Sequence, residues 1–309
     1  MKWNKKGLIF KPSNAPEFGF THIQCPSAIV LQERIRIFFG SRLKDGSGGI
    51  FYMDLDAKNP PKVLYIHDKP ILTKGLPGSF DQDGVLQVCL NKNGQDLYMY
   101  YGGFSKMIAS PHTCMMGLAN SRDNGESFIK LSEGPILPIS KVDPFLIGSA
   151  DVIFHENKWH MIYTSGTKWF NIDNQFELSY ALKYASSTDG IIWNPSGFIV
   201  IPQETEFYAD CKPSIIKIGD TFHMYFSTRK VFDYHDNGAN SYRLGYATSK
   251  DLINWRRNDS IGGIDISSEG WDSAMICYSN VIEYNDKVYL FYNGNSFGKS
   301  GFGYAELEF

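Results

Sequence analysis

The chain of 309 residues carries 30 Lys and Arg against 33 Asp and Glu, a formal net charge of −3, so nothing in its charge points to nucleic acid or an anionic membrane as a partner. Its 43% hydrophobic and 20% charged residues are those of a globular chain able to bury a sizeable core, and no run of 18 apolar residues marks a membrane-inserting helix. Aromatic residues reach 15%, mainly 18 Tyr and 22 Phe, which suits half-buried pleated surfaces.

The first predicted element is a strand from Trp3 to Phe10: a Trp, a Gly and an apolar run. The basic start, Met1 to Gly7, is not followed by an apolar segment, so no cleavable signal peptide is expected. Beyond residue 20 a pattern of roughly 60 residues recurs. Each copy opens with an apolar strand: Pro26–Leu31, Val85–Leu90, Ala150–Phe154, Pro213–Ile218 and Ser279–Tyr284. A second strand ends in aromatic and small polar residues, as in Ile35–Arg42, Leu97–Tyr101, Trp159–Gly166, Phe222–Arg229 and Val288–Asn295. The turns between the two are rich in Asn, Gly, Asp and Lys, as hairpin turns require. A third strand places Tyr52, Leu118, Tyr184, Tyr246 and Tyr304 at one repeated position, spaced by 66, 66, 62 and 58 residues. Asp and Gly turns at Ser121–Gly125, Ser187–Gly190 and Ser249–Asp251 lead into a fourth element that begins at Phe128, Trp193 or Trp255.

Four strands per unit and five units predict an all-β fold, a five-bladed β-propeller with four-stranded blades. The last unit stops at Phe309 without a fourth strand, and Trp3–Phe10 has the look of the missing piece. The N-terminal strand is therefore expected to join the last blade and close the ring. This is one domain over 1–309: residues 1–11 form the outer strand of the last blade, and the blades span about 20–73, 80–138, 147–201, 209–264 and 274–309. A two-sheet β-sandwich is the alternative, but it leaves the likeness of the two chain ends unexplained.

The innermost strands of such a ring converge on a central channel. The positions at their leading ends are His22, Gln24 and Cys25; Asp81 and Asp83; Ser149 and Asp151; Asp210, Cys211 and Lys212; and Asp272, Cys277 and Tyr278. Arg42 and Arg229 end the second strands of their units and are expected to reach the same mouth. Lys212, if it sits in the channel, needs an anionic partner, either a neighbouring Asp or a group on a substrate. Trp169 lies in a long connection, as do the loops from Phe104 to Cys114 and from Val231 to Ser241, and an aromatic residue there suits stacking on a sugar ring or covering a blade edge. The five cysteines, Cys25, Cys89, Cys114, Cys211 and Cys277, are odd in number, widely spaced and without a CxxC, so free thiols in a cytoplasmic setting are expected. No ligand spacing demands a metal or other cofactor.

Pro213-Ser-Ile-Ile with Gly219-Asp-x-Phe-x-Met-Tyr-Phe-Ser227, Ser187-x-Asp-Gly-x-x-Trp193 and the ending Tyr292-Asn-Gly through Tyr304-Ala305 resemble blades of the five-bladed propeller glycoside hydrolases. These are the arabinosidase, invertase and levansucrase group and the mannoside-phosphorylase group. The resemblance spans the chain and implies carboxylates at the starts of successive inner strands, serving as acid, base or nucleophile, and charge stabiliser. Asp83, Asp151 and Asp210 are the residues expected in those roles, with His22, Gln24, Arg42, Asp81, Ser149, Trp169, Lys212, Arg229, Asp272 and Tyr278 expected to bind substrate. The match is partial: Cys25 stands where an acid usually precedes Pro-Ser, Ser149 takes the third position and Lys212 the fourth. Some relatives carry a divalent ion on the axis. The resemblance implies an enzyme acting on a glycosidic or activated-sugar bond in glycan processing or polysaccharide biosynthesis, by hydrolysis, phosphorolysis or transfer. A non-catalytic carbohydrate-binding propeller is the reading from another class.

Overall fold

A computed structural model describes residues 1–172 and 174–308; Phe309, the last residue of the expected final blade, lies outside the described residues. The chain is all-β, and its strands follow the predicted repeat. After β1 (Lys2–Phe10), the first antiparallel meander is β2 (Gln24–Leu31), β3 (Arg34–Arg42), β4 (Gly48–Asp56) and β5 (Asn59–Ile66). The second is β6 (Gly84–Asn93), β7 (Asp96–Lys106), β8 (His112–Ser121) and β9 (Ile129–Lys130). The third is β10 (Ile147–His155), β11 (Lys158–Ile172), β12 (Gln175–Ser187) and β13 (Asn194–Ile199). The fourth is β14 (Tyr208–Ile218), β15 (Thr221–Lys230), β16 (Arg243–Ser249) and β17 (Arg256–Arg257). The fifth has β18 (Cys277–Tyr284), β19 (Lys287–Asn293) and β20 (Phe302–Glu308), and β1 runs antiparallel to β20 from Lys2↔Glu308 to Phe10↔Phe302. Single parallel bridges, Gly48↔Gly84 and Tyr180↔Ala209, join the first meander to the second and the third to the fourth.

The meanders stack face to face, and each interface is a separate apolar cluster. Phe38 and Tyr52 of the first meet Met99 and Tyr101 of the second. Tyr100 and Leu118 of the second meet Val152 and Met161 of the third, and Leu182 and Tyr184 of the third meet Met224 and Phe226 of the fourth. Tyr225 and Tyr246 of the fourth meet Leu290 and Tyr292 of the fifth, while Phe291 and Phe302 of the fifth meet Phe39 and Phe51 of the first. Both faces of a middle strand are thus buried, which explains why Leu97 to Tyr101 of β7 and Val288 to Tyr292 of β19 run as apolar and aromatic residues without a break instead of alternating with polar ones. The first strands abut in the order β2, β6, β10, β14, β18, and β18 in turn meets β2. The Asp and Gly turns read in the sequence are Asx turns: the Oδ1 of Asp123, Asp189 and Asp251 each accepts two backbone N–H groups and a Ser hydroxyl.

First strands of neighbouring meanders do not share a ladder, so their edge N–H groups need other acceptors. Side chains at one repeated position supply them. Ser214 Oγ accepts from Val281 N at 2.9 Å, Asn280 Oδ1 from Ala28 N at 2.8 Å, and Asp151 Oδ2 from Ile215 N at 2.5 Å. Two residues before that position each first strand bulges, at Cys25, Gln87, Ser149, Lys212 and Tyr278. Four of these take left-handed φ: Cys25 at 54°, Gln87 at 57°, Lys212 at 50° and Tyr278 at 55°. Such a conformation costs about 1–3 kcal/mol per residue. Its recurrence is the mark of a bulge that re-aims side chains where the strands converge.

A second recurring device ties the segment before each first strand to the meander. Asp81 bonds the Tyr101 hydroxyl and Lys130; Asp143 bonds the Tyr163 hydroxyl and Lys183; Asp272 bonds the Tyr292 hydroxyl and Lys5. In the fourth meander Asp210, on β14 itself, faces Arg257 at 3.4 Å, and Arg257 lies over Phe226. The first meander has an apolar version, with Phe20 packed edge-on against Phe39 and Phe51.

Candidate active site

Where the five bulged strands begin, a cavity of about 780 Å³ opens, with a deeper annex of about 90 Å³. The bulge residues Cys25, Gln87 and Tyr278 line it, and Ser149 lines the annex. Arg42 and Arg229, at matching ends of β3 and β15, project into it, as do Phe104 from β7 and Tyr180 from β12. Gln24 at the start of β2 joins the wall, and loops complete it: His22 ahead of β2, Tyr234 to Tyr242 between β15 and β16, and Asn295 to Lys299 between β19 and β20. The loops hold one another. Gln24 Nε2 donates to the Phe297 carbonyl at 2.7 Å, and the His235 ring rests against Phe297 at 5.3 Å.

Charge in this cavity is mostly positive. Arg229 is 4% exposed, its guanidinium 3.7 Å from the Tyr234 ring centroid, its Nε donating to the Tyr242 hydroxyl and its Nη2 3.7 Å from Glu177. Burial opposes that charge, but Tyr242, Tyr180 and Tyr234 more than offset it and hold the group above the ordinary arginine value. Tyr242 and Tyr278 are pushed well up by burial, so both stay protonated donors. His22 is buried, its Nδ1 2.9 Å from Thr21 Oγ1. Burial, then the charges of Arg42 and Lys299, lower its pKa to about 4, so the ring is neutral at pH 7. The thiol of Cys25 is pushed up to about 12 by burial and that of Cys211 to about 11, which leaves them protonated and poor nucleophiles. Among the described residues Asp236 is the one carboxylate lining the cavity.

Of the expected substrate-binding residues, His22, Gln24, Arg42, Arg229 and Tyr278 meet at the cavity and Ser149 at its annex. Trp169 stands behind the wall, edge-on to the lining residue His112 at 6.0 Å. Asp81 and Asp272 serve instead in the framework pairs with Lys130 and Lys5.

None of the three expected catalytic carboxylates lines the cavity. Asp83 Oδ2 accepts from Lys106 N at 2.8 Å, and the residue that matches Cys25, Ser149 and Lys212 in the second meander is Gln87, four places further on. Asp151 spends its oxygens on Ile215 N, Val152 N and the Cys89 thiol, stapling three first strands. Burial pushes its carboxyl up and the charge of Lys212 pulls it back. Asp210 faces Arg257 and Gln203; burial pushes its carboxyl up, and its Oδ1 has no partner among the described residues. Lys212 is 1% exposed and lies off the cavity wall, its backbone N–H donating to Ser149 Oγ at 2.9 Å. Gln87, Tyr180, Tyr242 and Phe297 are lining residues that the sequence does not single out. For Gln87 the signal was present, since the five bulges are spaced 62, 62, 63 and 66 residues apart.

No family model matches this sequence. Among solved structures it superimposes on a glycoside hydrolase with a TM-score of 0.76 and 18% identity, covering 98% of this chain and 90% of that one. A glycosyl hydrolase from Bacteroides ovatus gives 0.70 and 15% over 93% and 84%. A structure reported with the GH130 family of mannoside phosphorylases, containing glycoside hydrolases that target β-1,2 mannosidic linkages in Candida mannan, gives 0.73 and 14% over 99% and 94%. At these identities the likeness shows the fold, which is that of glycoside hydrolases and phosphorylases. In sequence the chain is 30% identical over 310 residues, the whole of both proteins, to uncharacterized protein MT1551 of Mycobacterium tuberculosis strain CDC 1551 / Oshkosh, and equally to uncharacterized protein Rv1502 of strain ATCC 25618 / H37Rv. With that identity sustained from end to end, the chain belongs to the family of those two mycobacterial proteins.

Proposed function

We propose that the chain is a glycosidase-like enzyme that acts on a glycosidic or activated-sugar bond in the cavity at the centre of a five-bladed propeller. The five stacked interfaces and the pairing of β1 with β20 support the blade count and the closure of a single domain. The observation that carries the functional reading is the cavity itself. Its size suits a sugar unit with an attached group, and it is walled by aromatic rings and fixed donors: Tyr180, Tyr242, Tyr278, Gln87 and Arg229. His22, His112, His235 and Asp236 are the lining groups suited to move protons. Five buried free thiols support a working place in a reducing compartment such as the cytoplasm.

The test is turnover of a panel of aryl glycosides and sugar 1-phosphates by the wild type, Asp236→Asn and His22→Gln. The expected result is turnover of at least one compound, reduced at least about a hundredfold by one of the two substitutions. Unchanged turnover in both would remove the proton-transfer assignment. A second reading, carbohydrate binding without turnover, is favoured by there being a single lining carboxylate among the described residues, because hydrolysis generally uses a pair. Binding without turnover across the panel is its signature.

A further inference from the structure

We infer that the sugar bound in this cavity carries a covalently attached oxyanion, a phosphate or a carboxylate, which is received by Arg42 and Lys299 beside His22. The inference rests on the reading of the cavity as a sugar site. Arg42 and Arg229 occupy matching places in their repeats, three residues after Phe39 and Phe226, and their surroundings differ. Arg229 is enclosed by tyrosine rings and sits 3.7 Å from Glu177, so its charge is answered within the protein. Arg42 is exposed to the cavity and, among the described residues, forms no ion pair within 4.0 Å; the same holds for Lys299. Both adjoin the His22 segment in the cavity wall, since Ile23 N donates to the carbonyl of Gly298, the neighbour of Lys299, at 3.0 Å and Gln24 pairs with Gly40 two residues before Arg42; both charges also push down the proton affinity of the buried His22 ring. Two cations and a neutral imidazole therefore converge on one side of the cavity. The one lining carboxylate among the described residues, Asp236, forms no ion pair with either cation.

A neutral sugar gives two unpaired cations nothing to neutralise. A phosphate or carboxylate accepts charge-assisted bonds from both, and from His22 Nε2–H when Thr21 donates to Nδ1. Arg42 comes from β3 and Lys299 from the loop before β20, so the anion would also bridge the first and fifth meanders.

The test is titration calorimetry at low and at physiological salt with glucose, mannose and galactose, each as the free sugar, the 1-phosphate and the uronic acid, and with inorganic phosphate alone. At least one anionic form is expected to bind tenfold or more tightly than its neutral parent, with the advantage shrinking as salt rises. Arg42→Ala and Lys299→Ala are each expected to weaken that form about tenfold or more and the neutral sugar less than about twofold. Both side chains are exposed, so thermal unfolding of the variants should match the wild type. Stronger binding of the phosphate-bearing than the carboxylate-bearing sugar, or the reverse, identifies the anion. Equal binding of charged and neutral sugars, or a preference that survives the double substitution, overturns the inference and leaves the sugar cavity standing. Inorganic phosphate binding as tightly as the best sugar phosphate overturns the covalent attachment. If no sugar in the panel binds and none is turned over, it is the reading of the cavity that fails.

Discussion

Nothing in the sequence marks Asp143, yet it is fully buried between the Tyr163 hydroxyl, Ser165 Oγ and Lys183. Removing one partner of a buried pair strands the other's charge, so Asp143→Ala is expected to cost about 3–5 kcal/mol in urea unfolding. Loss below about 1 kcal/mol would mean the pair is not a framework device. Asp210 presents the opposite case. Its carboxyl is held above its ordinary range by burial, so folding favours the protonated form. The stability it contributes is present below the unfolded carboxylate pKa and is lost as pH rises through the folded value. Relative to the wild type, Asp210→Asn should therefore become less destabilising as pH is raised from 4 toward 7. A gap that widens over that range would contradict the burial argument. Both residues show why the site was only partly legible. A run of acids before successive strands reads the same whether the oxygens face a cavity or a Tyr hydroxyl twenty residues on, as in Asp81 with Tyr101, Asp143 with Tyr163 and Asp272 with Tyr292.

At the scale of elements, the strands and turns were largely legible because each carries its own chemistry. Aromatic middle strands, Asx turns and the apolar first strands all stand where the repeat places them. The bulges left a trace in spacing alone, because an extra residue in a strand leaves no compositional one. That is why the acids alone align the second meander on Asp83 when Gln87 occupies the matching bulge. Trp3 marks β1 in the sequence, and the structure gives the reason for that residue. Its Nε1 donates to the Tyr225 hydroxyl at 2.9 Å, its ring packs edge-on to Tyr225, and it is buried in the cluster between the fourth and fifth meanders. Trp3→Ala is expected to cost about 3–5 kcal/mol, measured by denaturant unfolding, with the fluorescence of the other tryptophans reporting the same transition. A separate early transition confined to β1 and β20 would instead show that the strand is an appendage.

At the scale of the whole molecule, the repeat accounts for the position of the cavity as well as the fold. Five first strands that cannot ladder with one another leave a convergence point, their bulges turn Cys25, Gln87, Ser149 and Tyr278 toward it, and the loops between strands wall it. The all-β repeat was legible from periodicity because the physics of a repeat is local. The chemistry was less so, because it depends on which of several similar charges remains unpaired after folding: Arg42 and Lys299 do among the described residues, while Arg229, Asp151 and Asp272 have partners. The most direct test of the central claim is a crystal structure of the protein grown with the tightest-binding sugar of the calorimetric panel. The sugar ring is expected inside the cavity against Tyr278 and Tyr242, with its polar groups reaching His22, Arg42 or Lys299; a sugar seated on another surface, with the central cavity holding only solvent, would contradict it.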